Sequence, residues 1–136
     1  MKQYGLTFHH FGLAVTQPDR AIKFLQGLGY RTGELVHDPV QNVNLVWCTN
    51  PNMPAVEIIS PTGSPGPLDN LLKGRNESIY HLCYESKSTE DSLQMMKDSS
   101  IRAICVSPPK PAILFENRTV SFYMINGFGL IEILAA

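Results

Sequence analysis

Apolar residues recur along this chain at two spacings, and stretches of one kind alternate with stretches of the other. Phe8–Val15 (FHHFGLAV) reads as a strand, with His10, Gly12 and Ala14 on one face and His9, Phe11, Leu13 and Val15 on the other. Ala21, Ile22, Leu25 and Leu28 then fall on one side of a helix. Thr16-Gln17-Pro18-Asp19 supplies its start: Thr16 can cap, Pro18 suits the first turn, and Asp19 favours the positive end. Gly27 or Gly29 can end it. Strands are expected next around Arg31–Val36, Asn42–Cys48 and Ala55–Ser60.

The second half follows the same plan. Ile79–Glu85 is the strand, and Ser88-Thr89-Glu90-Asp91 resembles a capping box ahead of a helix that buries Leu93 and Met96. Strands are expected near Arg102–Val106, Arg118–Met124 and Gly129–Leu134, with SPPKPA (Ser107–Ala112) as an irregular loop. Ser60–Ser78 is rich in Pro, Gly and Ser, with one helical turn at Leu68–Leu72, and reads as a linker. The expected organisation is one domain, 1–136, with module one at about 8–60, the linker at about 61–78 and module two at about 79–134.

The halves also align residue by residue. At an offset of 71, His10 falls on His81, Asp19 on Glu90, Ile22 on Leu93, Leu25 on Met96 and Arg31 on Arg102. At an offset of 75, VEII falls on IEIL, so that Glu57 meets Glu132, and Leu45-Val46-Trp47 meets Val120-Ser121-Phe122. The chain therefore reads as two βαβββ units.

Composition narrows the class. Of 136 residues, 43% are hydrophobic and 17% charged, which suits a globular chain with a real core. A net charge of −1 offers no basic surface for nucleic acid. No apolar run approaches the roughly 20 residues of a membrane span. The N-terminal MKQYGLTFHH lacks the apolar core of a secretion signal. Cys48, Cys83 and Cys105 form an odd set without a CxxC pair, which points to reduced thiols. The expected location is the cytoplasm.

The repeat chooses between the adjacent histidines. His10 has a histidine counterpart, whereas His9 corresponds to Tyr80 and reads as a packing or edge residue. The last strand of each half carries a carboxylate inside an apolar run, Glu57 in AVEIIS and Glu132 in GLIEILA. A lone buried carboxylate is costly unless it is paired or bound to metal. If the modules face one another, His10, Glu57, His81 and Glu132 form a first shell for a borderline divalent ion. The ordinary alternative for each residue alone is an edge position or a satisfied hydrogen bond.

HFGLAV, VEII, YHLCYES and GLIEIL resemble the vicinal oxygen chelate superfamily, which includes glyoxalase I and methylmalonyl-CoA epimerase. Leu28-Gly29, Gln41-Asn42-Val43 and YHLCY look most like the epimerases. The resemblance implies an α+β fold of two βαβββ modules forming a curved, cup-like mixed sheet with helices outside. It also implies one divalent metal ion (cobalt, nickel, manganese or zinc) on His10, Glu57, His81 and Glu132. The implied chemistry is proton removal beside a carbonyl, with Asp38, His37 or the metal-bound Glu132 as the candidate base. The epimerases carry a glutamate just ahead of the Gln-Gly-Val segment, where this chain has Asp38, its nearest carboxylate. The glyoxalase Asp-Pro-Asp-Gly is replaced by Asn126-Gly127-Phe128-Gly129.

The expected function is thus an epimerase-like isomerase acting on a small acyl thioester or an α-oxygenated carbonyl compound. The alternatives are a glyoxalase I-like lactoylglutathione lyase and a non-catalytic small-molecule binding or resistance protein. The expected partners are a small-molecule substrate and a second copy in a homodimer, with no nucleic acid and no membrane. Lys73, Arg75 and Lys110 are candidates for a CoA phosphate, against the ordinary reading of solvated surface.

Overall fold

The computed structural model describes residues 3–63 and 65–136. Among them are nine strands and two α-helices, an α+β chain in which the second half is a βαβββ unit and the first follows the same plan with one additional short strand. The chain divides into two compact units: His10–Tyr80, and the residues up to His9 together with His81–Ala136.

In the first half, β1 (Leu6–Val15) is followed by α1 (Asp19–Gly27), β2 (Arg31–Thr32), β3 (Val36–Asp38), β4 (Val43–Asn50) and β5 (Met53–Pro61). β5 lies parallel to β1 and antiparallel to β4, which in turn pairs with β2 and β3. The strand expected over Arg31–Val36 is thus cut in two. At Gly33 the backbone N–H donates to the Trp47 carbonyl at 2.9 Å, and a Cβ would stand only 3.2 Å from that oxygen. Glycine is the residue that permits so close an approach.

Alternation along these strands separates two faces. Phe11, Leu13, Val15, Val46, Cys48, Val56 and Ile58 pack with Leu25 and Tyr30, and Ala21 and Ile22 of α1 close the cluster. His10, Gly12, Ala14, Trp47 and Glu57 occupy the other parity. Thr16 does not cap α1. Its backbone N–H bonds the Asn76 carbonyl, and Pro18 stands at the cap without a side-chain bond. The helix ends as expected, with Gly29 at φ 94° beyond Leu28.

The second half comprises β6 (Glu77–Ser86), α2 (Thr89–Asp98), β7 (Ala103–Pro111), β8 (Thr119–Ile125) and β9 (Gly129–Ala135). β9 is parallel to β6 and antiparallel to β8, and β8 pairs with β7. Ser88 caps α2 by accepting from the Asp91 N–H at 3.2 Å. Met96, Tyr123, Ile131 and Ile133 form the core beneath this helix. Cys83, Ala112, Val120 and Leu134 form a second cluster on the opposite parity.

SPPKPA is not an irregular loop. Ser107, Lys110 and Pro111 pair with β8, and the register shifts around the prolines. β7 ends its ladder, so the missing proline N–H groups fall where no further strand needs them. The Leu68–Leu72 turn closes with one bond, from the Leu72 N–H to the Leu68 carbonyl at 2.9 Å. No helix of the described residues is long and apolar enough to cross a membrane.

Candidate metal centre

Each half carries a buried histidine facing a buried glutamate. In the first, β1 presents His10 and β5 presents Glu57, with His10 Nε2 at 3.6 Å from Glu57 Oε1. In the second, β6 presents His81 and β9 presents Glu132, with His81 Nε2 at 3.0 Å from Glu132 Oε1. All four residues are at most 5% exposed.

The registers of the two halves agree. Gly12 pairs with Glu57 across the parallel β1–β5 ladder, and Cys83 pairs with Glu132 across β6–β9. Across the antiparallel ladders, Trp47 stands opposite Glu57 and Phe122 opposite Glu132. The repeat seen in the sequence is therefore a repeat of strand pairing.

The distances suit joint ligation within each half. Two donors about 2.1 Å from one ion lie about 3.0 Å apart at a right angle and about 3.4 Å apart at the tetrahedral angle. The observed 3.0 and 3.6 Å are close to these spacings. Imidazole with carboxylate is a donor set for zinc, cobalt, nickel or manganese. The residues of each half fit a divalent ion.

Asp38 lies elsewhere in its module and is differently engaged. Its Oδ1 accepts from the N–H groups of Val40 and Gln41 at 2.9 and 3.1 Å, and its Oδ2 accepts from Gln41 Nε2 at 2.9 Å. The buried carboxylate thus holds the β3–β4 turn together. His9 packs its ring edge-to-face with Phe115 at 5.4 Å. Lys73, Arg75 and Lys110 are exposed.

Glu85 pairs with Arg118, whose Nε also donates to the Ala135 carbonyl at 2.8 Å. Cys83 is buried in an apolar cluster, and on the helix side of β4 burial pushes the Cys48 thiol up to about 11. A thiol so raised, that of Cys48, is not an activated nucleophile.

Two residues beside the histidines escape a reading of the sequence alone. The Trp47 ring meets His10 edge-to-face, with centroids 5.1 Å apart and planes at 87°. Phe122 meets His81 in the same way at 5.2 Å and 77°. Both look like ordinary core aromatics in one dimension. The signal that finds them is their match at the repeat offset.

Residues 9–122 match the model of the glyoxalase/bleomycin resistance protein/dioxygenase superfamily. The chain belongs to this superfamily. No curated protein sequence matches it. Among solved structures, the hypothetical protein BH1468 from Bacillus halodurans C-125 superposes with a TM-score of 0.80 at 21% identity, over 96% of this chain and 94% of that one. Methylmalonyl-CoA epimerase from Mycobacterium tuberculosis superposes with a TM-score of 0.79 at 18% identity, over 99% and 91%. A single-residue variant of the Streptomyces coelicolor methylmalonyl-CoA epimerase, in complex with 2-nitronate-propionyl-CoA, gives 0.72 at 14% identity, over 96% and 94%. At these identities the likeness is one of fold. The superfamily's usual members are metal-dependent enzymes of small molecules, and the donors found in each half belong to that chemistry.

Proposed function

We propose that this superfamily member is a divalent-metal-dependent, epimerase-like isomerase that moves a proton beside a carbonyl of a small acyl thioester or an α-oxygenated carbonyl compound. The observation that carries the reading is the pair of buried His–Glu contacts, 3.6 and 3.0 Å, at equivalent places in the repeat. His10, Glu57, His81 and Glu132 would together hold one ion of cobalt, nickel, manganese or zinc. When bound, the ion supplies Lewis acidity that lowers the cost of negative charge on a substrate oxygen.

The chain's own residues do the remaining work. Neutral His10 and His81 are donors through Nε2, the nitrogen each turns toward its glutamate. Glu132 turns Oε1 toward His81, and its carboxylate is the group assigned to accept the substrate proton; epimerisation further requires a proton delivered to the opposite face. Val120 and Leu134, packed with Phe122, form the apolar surround on that face. Asp38, with both oxygens committed to its turn, is assigned to holding that turn in place of acting as a base.

Superposition on two methylmalonyl-CoA epimerases supports the epimerase-like reading. A second reading, a glyoxalase I-like lyase, is favoured by the engagement of Asp38. One base is enough to pass a proton between neighbouring carbons, whereas epimerisation needs an acid or base on each side.

Metal analysis of dialysed wild-type protein beside His81→Ala tests the centre. About one divalent ion per chain is expected in the wild type, and its loss in the variant. An empty wild type that also gains no thermal stability from cobalt, nickel, manganese or zinc sinks the reading and leaves a binding protein. Solvent deuterium exchange into acyl thioesters then separates isomerase from binder, and turnover of methylglyoxal with glutathione marks the lyase. In either assay Asp38→Asn, which keeps an acceptor for the N–H groups of the turn, is expected to retain activity.

A further inference from the structure

We infer that Trp47 and Phe122 are positioning residues, equivalent walls that fix the imidazole of His10 and of His81 so that each Nε2 faces its glutamate. The inference rests on the metal reading above and assigns the rings that orient its donors. An imidazole on a strand turns broadly and roughly two-fold about its outer torsion, so backbone position alone does not aim a nitrogen. Here each ring is met edge-to-face by an aromatic side chain, at 5.1 Å and 87° for Trp47 and 5.2 Å and 77° for Phe122.

The same two aromatics stand directly across the ladder from Glu57 and Glu132. Directly opposed side chains on one face are close neighbours, with Cβ atoms about 4.5–5.5 Å apart. Each aromatic is therefore in a position to touch both members of its His–Glu pair. An indole and a phenyl ring differ in size and polarity, yet the two modules place them at the same register and nearly the same angle. What the position selects is a flat apolar ring, and its role passes through the histidine. Hydrogen-bonded partners that orient a metal-bound imidazole are worth about 10–100-fold in metal affinity, and a packed ring that does the same is expected at the low end of that range.

The experiment uses the full chain as wild type, Trp47→Phe, Trp47→Leu, Phe122→Tyr and Phe122→Leu, each checked for folding by circular dichroism. The first readout needs no metal: the 15N chemical shifts of the two imidazole nitrogens, which report tautomer and hydrogen bonding and are little moved by the loss of a neighbouring ring current. The His10 signal is expected to move in Trp47→Leu and the His81 signal in Phe122→Leu, while the aromatic replacements stay near wild type. The second is cobalt titration followed by visible absorption, where the leucine variants are expected to bind about 10-fold or more weakly and the aromatic ones within a few-fold. Trp47 is the chain's single tryptophan, so its emission should fall as cobalt fills the wild-type site.

Folded leucine variants with unmoved histidine signals and wild-type cobalt binding overturn the assignment. A wild type that takes up no cobalt removes the metal reading alone. The histidine signals then decide whether the walls hold the rings, supporting the assignment if they move only in the leucine variants and overturning it if they do not.

Discussion

Cys48 and Cys83 are both fully buried, yet they lie on opposite parities of their modules, Cys48 under the helix and Cys83 beside His81. Burial raises the Cys48 thiol from about 9 to about 11, and it raises Tyr30 as well, with Cys48 nearby adding to the effect. Folding therefore favours the protonated thiol. Its contribution is complete below about pH 9 and is lost as pH rises through about 11, where the unfolded chain has already released its proton. The loss expected between those limits is on the order of 2–3 kcal/mol. Urea midpoints measured at pH 8 and pH 11 should show it, and Cys48→Ala should flatten the difference. Thiol labelling at neutral pH should mark exposed Cys105 first. The four His and Glu positions could be read from sequence because strand parity and repeat offset agree on them. Trp47 and Phe122 could not, because an aromatic residue within an apolar run looks like core until the ladder sets it opposite a carboxylate.

Among the elements, the helix starts show where local chemistry is a sure guide and where it is not. Ser88 leads directly into α2 and its hydroxyl accepts from Asp91, so Ser88→Ala is expected to cost about 1 kcal/mol. Thr16 lies two residues before a proline that fills the cap position itself, so Thr16→Ala should cost only a few tenths of a kcal/mol. A pair of denaturant titrations with matched slopes checks the contrast. The helices and most strands were legible because spacing alone defines them. The first half of β7 was legible near Arg102–Val106; its second half was hidden because the prolines argue against a strand in general, and only its place at the end of a ladder makes them harmless. Arg31–Val36 was overextended because pairing with β4 ends just after Gly33 and resumes only at Val36, a matter of where the partner strand lies. No local pattern announces it.

For the whole molecule, binding of the proposed ion to the folded chain and not to the unfolded one should raise its stability. At free metal 100-fold above its dissociation constant, linkage gives about 2.7 kcal/mol. For a chain of 136 residues that corresponds to a rise in Tm of roughly 10 °C. Scanning calorimetry of wild type and Glu132→Ala with and without cobalt checks this, and the variant is expected to gain little.

The matched registers, Gly12 with Glu57 and Cys83 with Glu132, have a consequence for inheritance. What must be copied from ancestor to descendant is the phase of each strand, since sliding by one residue would turn every donor to the other face. Phase is a binary property that a great many sequences satisfy. Most of the letters can therefore change while the architecture stays put.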